Sequence, residues 1–276
     1  MFQHLSGVLD AYPGWLVVAC IGTAVLAYFL GCFNGAVVMS RYILRDDVRD
    51  HGSGNAGLTN FYRTFGGPLT AAVILSDVVK AVLAVLFSIW IFGILSPDLL
   101  PFGKYWAGMF CLLGHMYPCT FQFRGGKGIL SGGTIAIMID WRVALVVWGG
   151  FLILAILTRY VSLGSCWAGL SFPFVTAFVY RDVLLVVMAV VIGGLILWKH
   201  RGNIQRLIHG TESKFTLHKK QEGAAPAQEE QAPGPEPETE ETAQAPEEKG
   251  EPEADSSGGP EGPDAPKAEE HKEGQP

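Results

Sequence analysis

The chain has 276 residues, a formal net charge of −6 and 49% hydrophobic residues. The charge is unevenly placed: residues 221–276 hold 17 of the 26 acidic residues and only three lysines, leaving residues 1–220 with 17 basic and 9 acidic residues, a net +8. This excludes an ordinary acidic soluble domain, and a Pro-, Gly- and Glu-rich tail of this kind buries too little apolar surface to offset the entropy of ordering.

From residue 1 onward, the chain reads as an all-α integral membrane protein. Residues 1–14 lack a basic n-region, so no cleavable signal peptide is expected. Apolar runs of membrane-spanning character follow at Trp15–Tyr42, Gly67–Leu95, Tyr105–Phe123, Arg142–Leu157, Val161–Tyr180 and Val183–Trp198. A shorter run, Ile129–Ile139, fits a half-length or re-entrant helix. Together they predict about seven transmembrane helices, with the N-terminus outside and the C-terminus cytoplasmic. Charge gives the orientation: Arg41, Arg45, Arg49, Arg63, Arg124, Lys127, Arg159, Lys199, Arg201 and Arg206 then lie inside, against Lys104, Arg142 and Arg181 outside. Residues 216–276 would form a disordered, solubilising cytoplasmic tail.

The five cysteines (Cys20, Cys32, Cys111, Cys119 and Cys166) sit in apolar runs without a CxxC pair. They read as buried small hydrophobes, with neither a disulfide framework nor a metal site expected.

Four polar islands interrupt the apolar pattern, all on the cytoplasmic side. The first, Asp50–Arg63, contains Gly52, Gly54 and Gly57 in GxGxxG spacing, but no βαβ unit surrounds them, so the dinucleotide reading fails. What remains is a glycine-rich turn presenting Ser53, Asn55, Thr59 and Asn60, followed by Arg63, a fork that suits phosphate. The second runs from His115 through Pro118 to Gly125, Gly126, Lys127 and Gly128. Bare backbone N–H groups and one cation within four residues suit a phosphate, while the absence of GxxxxGK[ST] argues against nucleotide hydrolysis. His115 also reads as a helix-packing hydrogen bonder. The third island places Ser162 and Ser165 at a helix start, where serines cap or an anion binds. The fourth places His200 and Asn203 one helical turn apart, followed by Arg206 and Glu212; its arginines equally suit anionic lipid. Asp77 and Lys80, spaced i, i+3 inside the second long run, read as an intramembrane ion pair.

In order, GSGNxGxTNxxR, GHxxPxxFxFxGGKG, SLGS and HxxNIxRLxxGxE resemble the bacterial acyl-phosphate:glycerol-3-phosphate acyltransferases (PlsY). The resemblance covers about residues 15–215, making 1–215 the acyltransferase domain. Leu58 stands where that family usually has alanine, Asn34 where proline is common, and Ser213 where proline usually follows the glutamate. The resemblance implies transfer of a fatty acyl group from acyl phosphate to the 1-hydroxyl of glycerol 3-phosphate, giving lysophosphatidic acid, at a bacterial plasma membrane. It implies contact with membrane lipid and an upstream enzyme that forms the acyl phosphate; no cofactor or nucleic-acid partner is expected, and no residues form a dedicated metal cage in the sequence. The HxxxxD motif of another acyltransferase class is absent, since Ala56, Thr120 and Gln205 stand five residues after the three candidate histidines. In this scheme Lys127, Arg63 and His200 hold the glycerol 3-phosphate group, Asn203 orients its hydroxyls, and Ser53 and Asn55 meet the acyl-phosphate head. Gly125 and Gly126 let backbone approach the phosphate, and the donor's phosphate serves as base. A transporter of a phosphorylated solute is the alternative, but the internal repeats it calls for are not evident.

Overall fold

The computed structural model describes residues 2–11 and 13–215; the acidic tail expected at 216–276 lies outside them. The described residues form helices and turns, with no strand among them. In chain order the helices are α1 Phe2–Ala11, α2 Pro13–Cys32, α3 Gly35–Val38, α4 Leu58–Thr64, α5 Leu69–Leu95, α6 Leu100–Met116, α7 Ile129–Ile139, α8 Trp141–Thr158, α9 Val161–Tyr180, α10 Val183–Lys199 and α11 Arg201–Ile208.

Gly14–Ile43, α5, α8 and α9 are each long and apolar enough to cross a bilayer, and α10 with α11, bent by 60°, makes a fifth candidate among the described residues. Their outward faces are apolar, with Leu75, Trp90, Ile94, Ile156, Phe174, Phe178 and Val183 all more than half exposed. So extensive an apolar exterior suits lipid rather than water.

Two runs depart from expectation. Trp15–Tyr42 is not one uninterrupted α-helix. Asn34 is extended after α2, accepts from Val37 N at 3.1 Å, and donates to Ala56 O at 3.0 Å. The chain then re-enters helix at Gly35 and continues as a π turn, Met39–Ile43. Tyr105–Phe123 is shifted: α6 begins at Leu100 and ends at Met116, because proline at 118 disfavours helical geometry at Tyr117 (φ −136°, ψ 62°). That early stop leaves Cys119 exposed in a turn, correcting its reading as a buried hydrophobe.

Helix α6 packs against α2, α5 and α10, while α9 packs between α8 and α10; α7 bridges α5, α6 and α8. The main core, including Phe92, Phe102, Tyr105, Leu112, Ile135, Phe172, Leu185 and Ile192, joins these helices. A second core of Val37, Val48, Ala56, Phe61, Val73 and Phe121 lies under the loops. It fixes the polar islands against the helix ends.

Candidate active site

The first island is held in shape by its own neighbour in α4. Asn60 donates to Val48 O at 2.9 Å and His51 O at 3.0 Å, and accepts from Ser53 N at 3.0 Å. All its amide groups are thus engaged by the loop, so Asn60 organises this turn rather than offering a free contact. Gly52 and Gly54 adopt positive φ (56° and 66°), which glycine permits without strain. Ser53, Asn55, Thr59 and Arg63 are left along one wall of a cavity.

The second island folds back on the end of α6, with Gly126 N donating to His115 O at 3.1 Å. Gly128, at φ 76°, starts α7 and turns Lys127 inward. Gly125 and Gly126 serve a different purpose from the expected one. A Cβ on Gly125 would lie 2.6 Å from Pro118 Cδ, and one on Gly126 would lie 2.7 Å from Ala56 O and collide with His115. They allow protein segments to meet, while Lys127 and Gly128 form the cavity wall.

Ser162 does not cap α9; Tyr160 occupies the cap position without a side-chain bond. The Ser165 hydroxyl donates to its own helix at Val161 O, 2.9 Å away. Ser162 instead donates to Glu212. Asn203 donates to Ser162 Oγ at 2.8 Å and Glu212 Oε1 at 2.7 Å, and accepts a short hydrogen bond from Lys127. Arg206 closes the network on Glu212 Oε2 at 2.7 Å.

His200 lies in the sharp turn between α10 and α11 and is 3% exposed. Its Nδ1 is 2.8 Å from Ile196 O, which only accepts, so Nδ1 carries a proton. As a neutral ring, it offers Nε2 as an acceptor. Such a ring is poorly suited to grip phosphate and well suited to accept from a hydroxyl.

These groups enclose a cavity of about 720 Å³. Gly52, Ser53, Asn55, Thr59, Asn60, Arg63, His115, Lys127, Gly128, Ser162, Ser165, His200, Asn203, Arg206 and Glu212 all line it, although they come from four separate stretches of chain. Leu130, Trp148, Phe151 and Val161 supply an apolar wall, and Asp77 reaches it from α5. Sequence patterning read Asp77 as half of an ion pair; its place on the cavity wall depends on the packing of α5 against α7. Ser213, a departure from the family pattern, lines the cavity and accepts from Arg63 at 2.8 Å.

Burial lowers the Lys127 ammonium to about 8, with Arg206 and Arg63 adding repulsion. Burial alone would raise the Glu212 carboxyl, but hydrogen bonds from Ser162, Asn203 and Arg206 overcome it and hold the group below its ordinary value. The site thus keeps an anion fixed between two cations while Arg63 and Arg206 retain exposed faces. No group of three or more metal-ligating side chains occurs among the described residues.

Apolar helices around one cationic cavity define a multi-pass membrane protein with its polar chemistry gathered at one site. Residues 21–210 match the family model described as glycerol-3-phosphate acyltransferase. The chain is 35% identical over 193 residues to the glycerol-3-phosphate acyltransferase of Thermoanaerobacter pseudethanolicus, covering 70% of this chain and 94% of that one. It is 36% identical over 221 residues to the enzyme of the same name from Halalkalibacterium halodurans, covering 75% and 98%. Its fold matches PlsY (YgiH), an integral membrane glycerol 3-phosphate acyltransferase solved in a glycerol 3-phosphate form, with TM-score 0.64, 34% identity, and coverage of 71% and 96%. A lysophosphatidic acid form of PlsY gives TM-score 0.62 at 33% identity, with coverage of 72% and 96%. The chain belongs to the glycerol-3-phosphate acyltransferase family, and is a PlsY-like membrane acyltransferase.

Proposed function

We propose that this enzyme takes acyl phosphate as donor and transfers its acyl group to the 1-hydroxyl of glycerol 3-phosphate, releasing phosphate and lysophosphatidic acid. The observation that carries this reading is the convergence of Lys127, Arg63 and Arg206 with Asn203 and His200 on one cavity that also has an apolar wall. Three cations suit a substrate phosphate, and the apolar wall suits an acyl chain. Lys127 and Arg63 hold the acceptor's phosphate. Asn203, pinned by Ser162 and Glu212, positions the glycerol backbone, and His200 Nε2 accepts from a glycerol hydroxyl. Ser53 and Asn55 meet the acyl-phosphate head. An acyl phosphate already carries a good leaving group, so positioning and charge stabilisation suffice without a covalent enzyme intermediate. The donor's phosphate takes the hydroxyl proton.

The enzyme spans a bacterial plasma membrane about seven times, α6 and α7 completing the set of longer helices, with the N-terminus outside and the cavity facing the cytoplasm. The positive-inside distribution of Arg41, Arg63, Lys127, Arg159 and Arg206 supports this topology. An enzyme that forms acyl phosphate supplies its donor. The test is donor competition: purified enzyme receives glycerol 3-phosphate with palmitoyl phosphate or with palmitoyl thioester. Ester formation at the 1-hydroxyl from palmitoyl phosphate alone is expected. Transfer only from the thioester would overturn the donor assignment.

A further inference from the structure

Deep in the cavity wall, Lys80 is surrounded by three acceptors. Its Nζ lies 2.7 Å from Asp77 Oδ1, 2.8 Å from Phe33 O and 2.7 Å from His115 Nδ1. The Asp77 contact is an ion pair, while Phe33 O and His115 Nδ1 are hydrogen-bond partners; an ammonium has only donors and no lone pair, so Nδ1 must be the accepting nitrogen of His115. Asp77 Oδ1 is 3.6 Å from Nδ1, too far to serve as its hydrogen-bond acceptor. The proton of the neutral ring is therefore on Nε2. His115 is 2% exposed and lines the cavity, and no described group accepts a hydrogen bond from Nε2. Buried donors ordinarily have partners, so an oriented and unpartnered one beside a cavity points to a ligand acceptor.

We infer that His115 Nε2–H donates to the acyl carbonyl oxygen of the donor and stabilises the oxyanion formed during transfer, with Lys80 as the positioning residue that fixes its tautomer. This rests on the acyl-phosphate reading. When the glycerol oxygen attacks, a new C–O ester bond forms and the carbonyl electron pair moves onto its oxygen. Collapse re-forms the carbonyl and breaks the bond from acyl carbon to phosphate oxygen. Phosphate leaves with the bond pair, and the hydroxyl proton goes to phosphate. His115 loses no proton at any step. A neutral donor beside Asp77, Ile129 and Leu130 suits the carbonyl end of the substrate, whereas the cations at Lys127 and Arg63 suit its phosphates.

The test combines ¹⁵N NMR of histidine-labelled, full-length enzyme with steady-state kinetics. NMR should show a His115 Nε2 of pyrrole type and Nδ1 of pyridine type, with Nε2–H shifting when a non-reactive acyl phosphonate is added. His115→Ala should lower kcat about 10²-fold while KM for glycerol 3-phosphate changes by less than about threefold. His115→Gln, which retains an N–H donor, should recover part of that loss. Lys80→Met should yield mixed tautomers together with reduced kcat. An Nδ1–H tautomer in wild type, an unmoved Nε2–H on phosphonate binding, or full kcat in His115→Ala would overturn the assignment. If wild type forms no ester from acyl phosphate, the donor reading fails, and the tautomer spectrum still reports separately on Lys80.

Discussion

At the loop end of the cavity, Lys127 bonds to an asparagine that is itself shared with Ser162 and Glu212, and the chain of partners ends at the exposed Arg206. At its floor, Lys80 is sealed among a carboxylate, a carbonyl and an imidazole within 2.8 Å. Lys80 is buried and Lys127 partly so, yet only the floor lysine has a direct counter-ion. The loop lysine faces two arginines and shares Glu212 at a distance, so its charge is incompletely balanced until an anion arrives. The floor lysine is balanced by the protein, and the loop lysine is left for a substrate to balance.

Removing one partner from the floor cluster should have the largest effect. Lys80→Met leaves Asp77 charged and unpaired in the helix bundle, a change that costs about 3–5 kcal/mol. Thermal unfolding in detergent should show a large drop in Tm, and Asp77→Asn combined with Lys80→Met should recover much of it. Equal instability of single and double variants would show that the ion pair is not what holds this floor together.

The loop lysine should instead reveal itself through pH. Lys127 is charged below about 8 and neutral above it, so kcat/KM should fall as pH rises through that value. One unit above, the loss should be about tenfold. Lys127→Arg, charged throughout, should flatten that limb even at lower overall activity. The stability sign is the reverse. Between about 8 and the ordinary lysine value of 10.5, the unfolded state binds more protons than the folded one, so this group makes stability rise with pH. Activity and Tm moving together over that window would break the comparison.

Glu212→Gln should produce a smaller effect, about a tenfold rise in KM for glycerol 3-phosphate, because Gln retains an acceptor for Ser162 and Asn203 but no longer balances Arg206. No change in KM would place the phosphate away from this network. Smallest of all, truncation after Gln221 should leave activity within about twofold, since the cavity is lined by residues up to Ser213 among the described ones.

Much of this arrangement was legible in the chain. Long apolar runs gave α5, α8, α9 and α10 with boundaries within a few residues, because lipid demands uninterrupted hydrophobic helices. Glycine-flanked Lys127 and the spacing of His200 and Asn203 marked side chains that do meet. The roles of Asn60, Gly125 and Gly126 were not legible. Whether an amide or a bare Cα serves a ligand or a neighbouring loop depends on which segments pack together, and one-dimensional spacing does not encode that. The same holds for Lys80. Its i, i+3 pairing with Asp77 was visible, whereas His115 and Phe33 come from other helix ends.

The most direct test of the account is product formation by purified wild type and Lys127→Ala, each given palmitoyl phosphate and labelled glycerol 3-phosphate. Wild type should yield lysophosphatidic acid, and Lys127→Ala should lose about 10²–10³-fold in kcat/KM while remaining folded. No product from wild type, or equal product from both proteins, would contradict it.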